Sequence, residues 1–147
     1  MKNIQLTRRL LLGTLLGTLF GILCFAGFSA NQNLPKEFAH WQVWSWSNLM
    51  MWSTIANRAL LGSVVALAGF ITVHPLLKFK IPVSARGLKT GAWVSLPMAL
   101  GALMGENHEA AVSAFWIIMI AGAIIGMIID LIITKFAGDG NKLYEEK

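Results

Sequence analysis

Four long apolar runs, at residues 10–28, 59–77, 90–104 and 110–133, are divided by stretches that hold almost all of the charge. Runs of about 17–25 apolar residues match the hydrocarbon core of a bilayer, so the first, second and fourth predict transmembrane helices. The third is short. Sixteen residues separate Lys89 from Glu106, and at 1.5 Å each they cover about 24 Å of a core roughly 30 Å thick. This run also contains Pro97, which removes one backbone hydrogen bond and predicts a kinked helix; a re-entrant segment is the alternative.

Charge favours four crossings. With the N-terminus inside, Lys2, Arg8, Arg9, Lys78, Lys80, Arg86, Lys89, Lys135, Lys142 and Lys147 fall on the cytoplasmic side and only Lys36 and Arg58 fall outside. If the third run fails to cross, the split becomes seven to five, which the positive-inside bias disfavours. The expectation is an all-α four-helix bundle in the inner (plasma) membrane, a single membrane domain with both termini cytoplasmic. Residues 29–58 form an outer loop, 78–89 a basic cytoplasmic loop and 134–147 a cytoplasmic tail. Five of the six tryptophans (Trp41, Trp44, Trp46, Trp52 and Trp116) map to the outer interface, where amphipathic rings are favoured. A flat interfacial helix over residues 35–52 is one reading of this Trp-rich loop.

The first run, behind Lys2, Arg8 and Arg9, has some look of a secretory signal. At 19 residues it exceeds the usual h-region of about 7–15, and Phe28 stands at −3 from Ala30, where a small residue is needed. It is expected to be a retained helix.

Composition agrees with a membrane class: 56% of the 147 residues are hydrophobic and 13% charged, about half the charged share of a soluble domain. The net charge of +5 sits at span ends, which fits orientation and lipid headgroups rather than nucleic acid. With Cys24 as its single cysteine, the chain can form no intrachain disulfide.

Hydrophobicity does not drive helices together in lipid, so small residues that permit close approach mark the packing faces. Gly13, Gly17 and Gly21 make a GxxxGxxxG stripe. Gly62, Ala66 and Gly69 lie on one face of the second helix, Gly91, Ser95 and Ala99 on the third, Gly122 and Gly126 on the fourth. Such stripes serve homodimers or packing within one bundle.

Two ionisable residues extend these faces: Arg58 lies four before Gly62 and Asp130 four after Gly126, a spacing that keeps residues on one helical face. Both are therefore expected to point into protein, Arg58 at the outer end of its helix and Asp130 at the inner end of its own. The structural reading pairs Arg58 with Glu106 or Glu109, and Asp130 with Arg9 or Arg86. The functional reading makes Arg58 an anion or headgroup clamp and Asp130 a coupling carboxylate in ion or proton movement. His40 and His108 share the outer layer with Glu37, Glu106 and Glu109, but without metal-ligand spacing. His74 is expected to be interfacial or bonded to backbone.

No nucleophile–base set, phosphate-cradling glycine motif, zinc-protease motif or haem-attachment motif is present. The expectation is therefore a protein without enzymatic chemistry, cofactor or metal. It reads as an accessory, assembly or interaction subunit that packs against itself or a larger membrane partner. The alternative is a small oligomeric transporter or channel using Asp130 and Arg58.

Overall fold

A computed structural model describes residues 2–29, 44–73, 76, 78–105 and 107–139. Several expectations concern residues outside this set: Lys36, Glu37, His40, Trp41, His74, Glu106 and the tail from residue 140. The described chain is all-helical, with α1 Lys2–Ser29, α2 Leu49–Ala68, α3 Val83–Ala102 and α4 His108–Ala137. Three of them, α1, α2 and α4, are long and apolar enough to cross a membrane.

The largest departure from the expected boundaries is in α2, which lies about ten residues earlier in the chain than the apolar run 59–77. Asn48 starts it, its side chain accepting from the backbone N–H groups of Met50 (3.0 Å) and Met51 (3.2 Å), which satisfies donors that a helix start leaves orphaned. The helix stops at Gly69. Beyond it Ile71, Thr72 and Val73 turn into extended chain, Ile81 N–H donates to Thr72 (2.8 Å), and Val73 bridges antiparallel to Lys80. Stiff β-branched side chains in succession suit that geometry better than a helix. Arg58 is thus the tenth of twenty residues in α2, in mid-helix rather than at its outer end, and residues 49–58 of the expected outer loop are helical.

α3 begins seven residues before the expected span, directly after Pro82. Its twenty residues reach about 30 Å, but α3 is not among the helices long and apolar enough to cross a membrane. Arg86 and Lys89 belong to its first turns rather than to a loop, and Pro97 lies inside it. α4 is capped by Asn107, whose side chain accepts from Ala110 N–H at 3.2 Å. Glu109 in its first turn and Lys135 in its last complement the helix dipole.

The helices pack chiefly as two pairs, α1 on α2 and α3 on α4. Glycine sets both. A Cβ on Gly13 would overlap the Gly62 carbonyl, one on Gly17 the Arg58 carbonyl, and one on Gly21 would stand 2.8 Å from Ile55 Cα. As numbers rise along α1 they fall along α2, so the pair is antiparallel with backbones in contact. In the second pair Gly91 meets Gly122 and Gly87 meets Gly126 in the same antiparallel sense. The stripes are therefore spent within one chain, which is the intrachain alternative of the two the sequence left open.

Between the pairs Leu61, Val65, Ala66, Ile125, Ile129 and Ile133 form the core. The outer surface is apolar too, with Leu11, Leu15, Leu19 and Leu23 of α1 and Ile117, Ile120 and Ile124 of α4 exposed. Arg9, Arg58, Arg86 and Asp130 are buried. An apolar exterior around buried charge is the arrangement of a bundle whose solvent is lipid.

Candidate functional site

The buried charges form two groups at different heights. At the base, where α1 and α3 begin and α2 and α4 end, Arg86 grips Asp130 with two parallel bonds, Nε to Oδ2 (2.8 Å) and Nη2 to Oδ1 (2.9 Å). Thr134, one turn along α4, accepts from Arg86 Nη2 and donates to Asp130 Oδ1, both at 3.3 Å. Arg9 of α1 approaches the same carboxylate, Nη2 to Oδ1 at 3.6 Å, and its guanidinium lies 5.7 Å from the centre of the Phe70 ring. Asp139 adds a second carboxylate, 3.4 Å from Arg86 Nη1. Two guanidiniums thus meet two carboxylates.

Other donors of this cluster go to helix ends, while Arg9 Nη2 has no hydrogen-bond partner beyond its ion-pair approach to Asp130. Arg9 donates to the carbonyls of Ala66 (3.2 Å) and Gly138, Arg86 to that of Gly69 (3.3 Å), and Gln5 to that of Ala137 (2.9 Å). The last carbonyls of a helix lack intrahelical partners, so the cations satisfy the ends of α2 and α4 while balancing Asp130. Gly69 makes the space, since a Cβ there would strike the Arg9 guanidinium. Of the residues expected to join Asp130, the structure brings in both Arg9 and Arg86. The parts of Thr134, Asp139 and the helix-end carbonyls were not anticipated; the i,i+4 spacing of Asp130 and Thr134 was the available signal.

In the upper half, toward the start of α4, stands Arg58. Its side chain is buried between helices, only 3% exposed, and Nη1 donates to Ser95 Oγ of α3 at 2.7 Å. Nε is buried with no hydrogen-bond partner, and no carboxylate pairs with Arg58 among the described residues. Glu109 is exposed in the first turn of α4, while Glu106 lies outside the described residues. Ser95 comes from the small-residue stripe of α3, held against α4 where a Cβ on Gly122 would overlap it. One stripe thus delivers the partner of Arg58, and another, Gly17 and Gly21, lets α1 close over its backbone.

Arg58 forms part of the wall of a cavity of about 470 Å³ among all four helices. The rest of the wall is mostly apolar, with Met50, Met98, Ile117 and Ala121 among its members, and Thr54 and Cys24 as weak polar groups. The Thr54 hydroxyl is already bonded to the Met50 carbonyl (2.9 Å). Asp130 does not line this cavity.

Among the described residues, fold and site together define an all-helical bundle with three membrane-length helices, a balanced charge cluster at one end and a buried cation without a counter-charge in an apolar cavity toward the other. Comparison with protein-family models, curated proteins and solved structures gave no match.

Proposed function

We propose that this chain is a non-enzymatic accessory or interaction subunit of the inner membrane, crossing it four times with both termini in the cytoplasm, and that it works by receiving an anionic group at Arg58. The observation that carries this reading is the contrast between its arginines. Arg86 is answered by carboxylates and Arg9 lies within ion-pair distance of one, while among the described residues Arg58 has only a neutral hydroxyl. An unpaired buried charge costs several kcal/mol even after relaxation, and binding an anion offsets that cost. Positive-inside bias supports the orientation.

The transporter reading would have Asp130 free to exchange its proton or ion. Its bidentate bond to Arg86 and its distance from the cavity wall give that reading no support. The direct test is gentle purification from the native membrane, with identification of whatever accompanies the protein in stoichiometric amount. Wild type should retain one companion, lipid or protein, that an equally folded Arg58→Gln variant loses. A wild type that emerges alone, or a companion held equally by both forms, would sink the proposal.

A further inference from the structure

The geometry points to the class of ligand that completes Arg58: we infer that the cavity binds the carboxylate and first part of the chain of a long-chain fatty acid. This rests on the reading of Arg58 as an anion receiver and goes beyond it by choosing one occupant. Three observations select it.

The first is the edge of the guanidinium left open. Arg86 holds Asp130 through its Nε/Nη2 edge, the planar fork that matches a carboxylate. In Arg58 the bond to Ser95 uses Nη1, and Nε of that fork is buried without a partner. The edge that binds a carboxylate within this chain thus lacks a partner at Nε in Arg58, a residue that also lines the cavity. The second is charge. Arg58 is the one cation in the cavity wall among the described residues, and a carboxylate balances it with a single negative charge. A phosphomonoester carries about −1.5 to −2 at neutral pH and would leave charge unmatched. The third is the wall. Beyond Arg58 it offers Met50, Met98, Ile117 and Ala121, and among the described residues only the weakly donating Cys24 thiol remains free for a sugar or a second headgroup. The volume falls in the range of about 300–1,000 Å³ usual for small-molecule sites.

Purified protein in mild detergent is titrated with palmitate, with hexadecanol and with hexadecyl phosphate, and binding is read by native mass spectrometry. Cys24, which lines the cavity, reports occupancy through protection from N-ethylmaleimide. Palmitate should bind one to one and slow alkylation of Cys24. Its affinity should exceed that of hexadecanol and of the phosphate by about tenfold or more, as loss or mismatch of a charge-assisted fork implies. Arg58→Gln should abolish that preference. Ala121→Phe should weaken palmitate while leaving Arg58 in place, which separates a filled cavity from a misfolded bundle.

Equal affinity for acid and alcohol, or a preference of the wild type for the phosphate, overturns the fatty-acid assignment. If palmitate fails while native purification still yields an Arg58-dependent companion, the ligand class is wrong and the anion-receiving role stands. If both fail, that role falls as well.

Discussion

Arg86 and Arg58 are both buried on helices, and they differ in what their Nε groups meet: a carboxylate oxygen at 2.8 Å for Arg86, no hydrogen-bond partner for Arg58. Their substitutions should therefore act in opposite directions. Asp130→Asn removes the carboxylate shared by Arg86 and Arg9 and leaves Asp139 alone against two cations. Breaking a buried pair in this way costs about 3–5 kcal/mol, so the melting temperature of the purified protein should fall sharply. Arg58→Met exchanges an uncompensated charge for an apolar chain of similar reach, and in protein freed of bound lipid it should melt at or above the wild-type temperature. Thermal unfolding of both variants in one detergent checks this. A loss for Arg58→Met as deep as that for Asp130→Asn would mean that Arg58 has a counter-charge after all. At this scale the sequence was informative in part. Spacing by four placed Arg58 and Asp130 on inward faces, but the partner of Arg58 is a serine, and a list of charged residues does not contain it.

At the scale of elements, glycine decides which helices touch. Adding one methyl group should be costly where backbones meet and harmless where they do not. At Gly17 a Cβ would overlap the Arg58 carbonyl. Gly17→Ala must push α1 away from α2, for a loss of about 1–3 kcal/mol typical of overpacking. A Cβ on Gly101 of α3 meets nothing within 4 Å, so Gly101→Ala should be neutral or stabilise by up to about 1 kcal/mol through helix propensity. Denaturation of the two variants in mixed micelles gives the comparison, and equal effects would argue against the observed register. The stripes themselves were legible from four-residue spacing, whereas their pairing was not, because small faces on four helices can be matched in several ways. Helix limits were legible where apolarity and capping agree, as in α4. They failed for α2, because a scan for uncharged runs rejects Arg58 and accepts residues 70–77, while the Asn48 cap and the β-branched residues after Gly69 place the helix earlier.

For the whole molecule, orientation rested on ten basic residues against two, and the structure changes what those residues can be counted for. Arg9 and Arg86 are committed to the cluster around Asp130, and Arg58 lies in mid-helix. On the proposed topology, removing the three leaves Lys2, Arg8, Lys78, Lys80, Lys89, Lys135, Lys142 and Lys147 against Lys36, so the bias is eight to one and still favours a cytoplasmic base. It depends on α3 crossing, and the contacts of Gly87 with Gly126 and Gly91 with Gly122 run α3 alongside α4 from the base upward. In a Cys24→Ser background, a membrane-impermeant maleimide applied to intact cells should therefore label Ser47→Cys and His108→Cys. It should reach Lys80→Cys only after permeabilisation. Labelling of Ser47→Cys without His108→Cys would make α3 re-entrant and carry the start of α4 back to the cytoplasm. The expected pattern would also set the direction of access to Arg58: the cavity reaches Met50 near the start of α2 and Ala114 near the start of α4, so an amphiphile would enter from the outer leaflet, away from the cluster that holds the four helices together.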